Sequence, residues 1–267
     1  MRVTSLGYRT DLALRALEGG TETDRGDYLV ARNPALPDFW WGNFLLLARP
    51  PAAGSAGHWL ATFAAEFPDA QHVAIALDTV SSQDADPAPF VAAGLEYERN
   101  LVLTAAPGEV HEPPRPSRDA TLRPLTGDDD WQQVLDLRLA SIEPGDPPGI
   151  AGFIGQKTAA DRKLAEAGHG AWLGALAGGR LVAHLGLFAA GVGLARYQNV
   201  VTHPEARGKG LAGTLAAWAA GYGQAELAAD TLVIVADPEH VAARVYASIG
   251  FTPAEEQLGF QRGPLTT

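Results

Sequence analysis

The sequence predicts an α+β protein, and three observations carry that prediction. Over residues 121–261 short apolar strand-like runs and helical segments follow the order β-α-α-β-β-β-α-β-α-β, which sets helices against a mixed sheet. Two of those runs, Ala171–Leu176 and Leu181–Phe188, flank Gly178-Gly179 and read as a hairpin, which a strictly parallel βαβ repeat would not contain. The first hundred residues echo the same plan. Phe90 stands four residues before Gly94-Leu95 as Tyr246 stands four before Gly250-Phe251. Each is preceded by a short apolar strand and an Asp-Pro step, and each is followed by an acidic residue leading into a strand. Four matches in one order predict two related modules.

The modules are 1–104 and 120–267, separated by a linker at 105–119 that is rich in proline and lacks an apolar period. In the first module, Phe44–Leu47 and Val73–Leu77 read as strands, the region of Trp59–Phe67 as a helix and Glu98–Thr104 as a strand. The cluster Phe39-Trp40-Trp41-Gly42-Asn43-Phe44 reads as core or interface, with the wall of a substrate pocket as the other reading. In the second, Thr121–Leu125 is strand-like, and Asp128-Asp129-Asp130 supplies acids for a helix through Trp131, Val134, Leu135 and Leu139. A loop follows from Ser141, then a helix from about Phe153 to Ala167 and the hairpin. Strands at Leu194–Thr202, Thr231–Ala236 and Gln257–Gln261 alternate with helices at Leu211 to Ala228 and Glu239–Ile249.

Composition narrows the function classes. With no cysteine among 267 residues, disulfides, cysteine-ligated metals and thiol nucleophiles are excluded. A net charge of −11 speaks against a general nucleic-acid binder. No apolar run has membrane-spanning length and the first residues lack a signal-peptide core, so a cytoplasmic protein is expected. Lysine occurs only at 157, 163 and 209 among many arginines, a bias that fits a GC-rich bacterial genome.

The most informative stretch runs from Val200 to Ala212. A β-type run ends at His203-Pro204, gives Arg207-Gly208-Lys209-Gly210, and opens a helix at Leu211. Such a junction aims unbonded N–H groups and the positive end of a helix dipole at one point, an arrangement suited to a phosphate or pyrophosphate. A P-loop is excluded because Gly210, not Ser or Thr, follows Lys209. A dinucleotide fold would need its glycine motif in a parallel βαβ unit, and the hairpin disagrees.

Residues 120–267 resemble the GNAT N-acetyltransferase superfamily. Arg207-Gly208-Lys209-Gly210-Leu211-Ala212 matches its Arg/Gln-x-x-Gly-x-Gly/Ala segment, and Ala242, Tyr246, Gly250 and Phe251 match its second signature. The resemblance implies a GNAT-like mixed sheet flanked by helices, in two tandem modules of which the first is degenerate. It implies acetyl-CoA as cosubstrate, its pyrophosphate on the amides of Arg207, Gly208, Lys209, Gly210, Leu211 and Ala212. The pantetheine would lie along Val200, Val201 and Thr202, beside a bulge at Asn199-Val200-Val201. The implied reaction is direct attack of a primary amine on the thioester, with Tyr246 as general acid. A small-molecule amine is the expected acceptor, with peptide and protein amines as alternatives; neither nucleic acid nor membrane is expected as a partner.

The base is open among Glu143, Asp146, His184, Asp237, Glu239 and His240, or a water chain, and Arg196, Gln198, Val200 and Thr202 share a face by strand parity. Position 239, where the family often has Asn, holds Glu. In the first module Ala48–Gly57 lacks the glycine motif and Phe90 replaces the tyrosine. The rival function is a non-catalytic acyl-CoA-binding regulatory protein on the same fold.

Overall fold

Apolar runs that match strand length become the strands of two packed units. The computed structural model describes residues 1–147 and 149–263. Unit 1 comprises Met1–Val102 and the chain from Glu255 onward; unit 2 is Leu103–Ala254.

Unit 1 contains α1 (Leu6–Leu17), β1 (Thr21–Asp24), β2 (Tyr28–Arg32), β3 (Phe44–Leu47), α2 (Ala56–Glu66), β4 (Val73–Leu77), α3 (Ala88–Ala92) and most of β5 (Glu96–Ala105). The last strand of the chain (β11, Thr252–Arg262) pairs antiparallel with β4, from Leu258 opposite Leu77 to Arg262 opposite Val73. The sequence divides the chain at the 105–119 linker and puts this strand in the second module, whereas by contacts 255–262 fall in unit 1. Tyr8 Oη donates to the Leu258 carbonyl (2.6 Å), and Phe260 stacks on Phe90 at 4.3 Å.

The sequence predicts no element before Phe44, yet α1, β1 and β2 precede it. Ser5 is the N-cap of α1 and accepts from the Tyr8 N–H, and carboxylates far along the chain hold the same end. Asp78 accepts from the backbones of Thr4 and Ser5 (2.9 and 2.8 Å), and Glu255 from Gly7 (2.8 Å). The aromatic cluster packs inside unit 1, the core reading. Trp41 lies where a Cβ on Gly259 would stand and donates to Gln261 (2.9 Å), while Trp40 stacks on His72.

Glu66, at the end of α2, accepts from Arg25 (2.9 Å), Arg32 (2.6 Å) and Tyr28 (3.1 Å). The hydrogen bond from Arg25 leads in holding its carboxyl down at about 2. A depressed carboxyl stabilises the fold above its unfolded pKa, about 4.3, and loses that contribution as pH falls through the folded value. Glu66→Gln is therefore expected to cost about 1 kcal/mol at pH 6, after allowance for the exposure of Arg25. In thermal unfolding the gap between variant and wild type should narrow from pH 5 to pH 3.

Unit 2 contains β6 (Thr121–Pro124), α4 (Gly127–Ala140), α5 (Ile150–Glu166), β7 (Gly170–Ala177), β8 (Arg180–Ala189), β9 (Leu194–Thr202), α6 (Leu211–Leu227), β10 (Thr231–Ala236) and α7 (Val241–Ala247). Its strands run in the order β10-β9-β8-β7-β6, with β9 and β10 parallel and the rest antiparallel. Tyr197 reaches one face and donates to the Ala216 carbonyl of α6 (2.9 Å). Trp172 fills the other face against Trp131 of α4. There Arg138 lies over the Trp172 ring at 4.7 Å and donates to Thr158 (2.8 Å) and Asp161 (2.7 Å); Lys157 binds the other Asp161 oxygen. This buried network ties α4 to α5. At the start of α4, Asp130 alone of the three expected acids turns back, accepting from the Thr126 N–H (2.7 Å) and from Arg123.

Candidate active site

Three local features of unit 2 meet at the ends of β9 and β10. The first is a divergence of parallel strands. β10 pairs with β9 only from Thr231 opposite Leu194 to Val233 opposite Arg196. From Tyr197 onward β9 has no such partner among the described residues, so a strand edge stands open toward β10.

The second feature is a bulge. β8 and β9 are in register at Gly186 opposite Gln198 and again at His184 opposite Val201, so Asn199 and Val200 share the single partner Leu185. Asn199 takes a left-handed backbone with φ of 43°, which asparagine tolerates better than most residues. The bulge lies where the sequence placed it. It corrects the parity argument, however: the extra residue puts Val201 on the face of Arg196 and Gln198, and turns Val200 and Thr202 away from it.

The third feature is the glycine turn. A single helical turn at Pro204–Ala206 leads to Gly208 (φ 79°) and Gly210 (φ 75°), and Gly210 caps α6 without any side-chain bond. Among the described residues, no backbone or side-chain acceptor meets the N–H groups of Gly208 through Gly213. Those donors, with the exposed Lys209 and Arg207 beside them, form an anion cradle. Arg207 also pairs with Glu143 at 3.4 Å.

Tyr246 of α7 is 5% exposed and stands with Tyr197 and Phe251 in a cluster of rings. The two phenols are near enough to interact electrostatically, with Phe251 in contact with both rings. Burial pushes its phenol well above the ordinary value. Its hydroxyl makes no hydrogen bond within the described residues.

The candidate bases separate by geometry. Glu143 and Asp146 are exposed and hold the loop between α4 and α5, Asp146 accepting from the Glu143 N–H (2.7 Å). Asp237 accepts from the Glu239 N–H (2.8 Å). His240 caps α7, so the cap that Glu239 put in question is supplied one residue later. His184 is fully buried, and burial drives its pKa well below the ordinary value. Its Nδ1 accepts from the Trp172 indole (3.1 Å), so a neutral ring carries its proton on Nε2. A proton-bearing Nε2 and an occupied Nδ1 make His184 a donor, not a base.

Residues 105–119 were read from sequence as a linker, yet they are strapped across α6 and α7. The His111 N–H donates to the Ile249 carbonyl (3.0 Å), and Pro113 covers Gly213. A Cβ on Gly210 would stand 2.0 Å from the Arg115 carbonyl oxygen, and the Ser117 N–H donates to Thr214 (2.9 Å). Gly210 thus has a packing reason to be glycine besides its place in the cradle.

The comparisons with known proteins agree with this geometry. Residues 137–251 match the model of the Acetyltransferase (GNAT) family. These residues form a GNAT-family domain. The domain lies wholly within unit 2 and contains the bulge, the open edge, the glycine turn and Tyr246. Among solved structures, the chain is similar to a functionally unknown conserved protein from Staphylococcus epidermidis ATCC 12228. That match has a TM-score of 0.75 at 12% identity, covering 92% of this chain and 95% of the other. A GCN5-related N-acetyltransferase from Kribbella flavida gives 0.64 at 15%, covering 98% of each chain. A tandem GNAT protein from the clavulanic acid biosynthesis pathway gives 0.54 at 16%, covering 98% and 95%. At these identities the structural neighbours establish the fold. No curated protein sequence matches the chain. No helix of the described residues is long and apolar enough to cross a membrane.

Proposed function

We propose that the GNAT domain transfers the acetyl group of acetyl-CoA to a primary amine by direct attack, and that Tyr246 returns a proton to the departing thiolate. The observation that carries this reading is the coincidence of an unpaired β9 edge with six unbonded N–H groups at the adjoining turn. A pantetheine arm has amides to pair with such an edge, and a pyrophosphate has the charge to fill such a cradle. The residues assigned to hold it are Val200, Val201 and Thr202 through the strand and the amides of Gly208 to Ala212 through the turn; the Arg207 N–H, expected among them, donates to the Pro204 carbonyl (3.3 Å), which leaves its side chain for the anion. Orientation of the amine against the thioester supplies much of the rate. With His184 unable to accept a proton and the loop acids exposed, the ammonium loses its proton to solvent before attack. The rate should then rise with pH along the acceptor's own ionisation.

The first module is read as a degenerate copy without a cofactor. In unit 1 the parallel pairing of β3 and β4 continues to Leu47 opposite Leu77, and the Asp78 N–H then closes on the Leu47 carbonyl (2.9 Å). No gap opens there for a pantetheine arm, and Phe90 offers no hydroxyl.

The reading is tested by thiol release from acetyl-CoA with a panel of primary amines, small molecules first and then peptides. Binding of acetyl-CoA without turnover of any amine would favour the non-catalytic acyl-CoA-binding alternative. Lys209→Glu, at an exposed position, should leave thermal stability unchanged and weaken acetyl-CoA about tenfold at low salt. The loss should shrink in 0.5 M salt, where exposed charges are screened within about 5 Å; titration calorimetry at both ionic strengths measures it.

A further inference from the structure

The bulge needs something to hold it, and His184 is placed to do so. A left-handed Asn199 turns its peptide out of the β8–β9 ladder, and the direction of the following N–H groups depends on that turn. His184 pairs across the strands with Val201, two residues past Asn199, and so stands on the face that carries Gln198 and Val201. Its side chain is fully buried, with Arg138 of α4 near enough to disfavour its charged form. The Trp172 indole can only donate, which settles the tautomer and leaves Nε2–H as the outward group. By geometry Nε2 has no hydrogen-bond partner among the described residues, while the Asn199 backbone stands close enough to the ring to favour its charged form. A buried donor without a partner costs about 1–3 kcal/mol, so a partner within reach is a strong attractor.

We propose that His184 is a positioning residue for acyl-CoA: its Nε2–H engages the turned-out Asn199 carbonyl when the β9 edge is occupied, and so fixes the N–H groups that face the ligand. The inference rests on the functional reading given above. It assigns His184 no contact with the reacting atoms. It also gives Trp172 a part, since the indole N–H excludes the other tautomer, in which Nε2 would repel the carbonyl.

Two variants divide the ring's two nitrogens. His184→Asn keeps an acceptor near the Nδ1 position for Trp172 but ends short of Nε2. His184→Gln reaches Nε2 with an amide N–H but leaves the indole without its acceptor. Acetyl-CoA affinity by calorimetry and Tm by thermal unfolding should therefore cross. The Asn variant should hold its Tm and lose about tenfold in affinity, the strength of one hydrogen bond. The Gln variant should unfold several degrees earlier and bind within about threefold of wild type. Affinity that follows Tm in both variants, or affinity unchanged in both, would overturn the positioning role while leaving the acyl-CoA site intact. A wild-type chain that binds no acetyl-CoA would instead overturn the functional reading, and this inference with it.

Discussion

Tyr246→Phe is expected to lower kcat by about 100-fold or more, with the KM for acetyl-CoA changed by no more than a few-fold. The hydroxyl makes no hydrogen bond within the described residues, so its removal leaves no partner stranded and should barely move the Tm. The ring remains to pack against Phe251. What is lost is the hydroxyl proposed to protonate the thiolate. The direction of the pKa shift matters here. A phenol raised by burial stays protonated at and somewhat beyond its ordinary value near 10, so it remains an acid as an amine acceptor begins to lose its proton. The wild-type rate should accordingly show no fall from loss of this acid up to pH 10. Steady-state kinetics across pH 6–10, for wild type and variant, check both statements. A variant with wild-type kcat would remove Tyr246 from the chemistry, since a packing role predicts that outcome.

Gly210→Glu should lose acetyl-CoA affinity by more than about 100-fold and also unfold earlier than wild type. Two costs combine in the free protein. The left-handed backbone penalises any side chain by about 1–2 kcal/mol, and the new Cβ collides with the Arg115 carbonyl, which is backbone and yields only if the strap moves. In the complex, the carboxylate competes for the N–H groups that the pyrophosphate would use. Gly208→Ala is the control. Its φ of 79° carries the same backbone strain, but nothing lies within 4 Å of the new Cβ. It should therefore reproduce the backbone part of the destabilisation without dislodging the strap. Titration calorimetry with thermal unfolding separates the contributions. An early Tm with full affinity in Gly210→Glu would mean that the glycine serves the strap alone, and the phosphate assignment would fail.

These two residues show how unevenly the site can be read from a sequence. The glycine turn and the tyrosine position are legible because both are patterns of residue type at fixed spacing, and the structure puts the turn between a strand and a helix, as expected. Strands at Phe44–Leu47, Val73–Leu77, Leu194–Thr202 and Thr231–Ala236 match expectation residue for residue for a similar reason: each is an apolar run of strand length. The bulge at Asn199-Val200-Val201 was expected from the family resemblance, and the structure places a register irregularity there. The face parity beyond it was not legible, because one extra residue reverses every side chain that follows. α1 carries a local signal in its N-cap Ser5, while Asp78 and Glu255, which tie that end into unit 1, come from far along the chain. The 105–119 segment was read as a linker because its docking partners, Gly210, Gly213, Thr214 and Ile249, lie about a hundred or more residues away.

By itself the sequence determined an α+β chain with one complete glycine turn, one matching tyrosine and a first module lacking both. Those properties reside in local residue order, which sets strand length, backbone freedom and the presence of a hydroxyl. Only the tertiary structure decided that β9 and β10 part after three pairs, that the strap backs Gly210, and that His184 carries its proton on Nε2. Each of these depends on groups brought together across the chain, where burial and hydrogen-bond direction, rather than residue type, fix what a side chain can do.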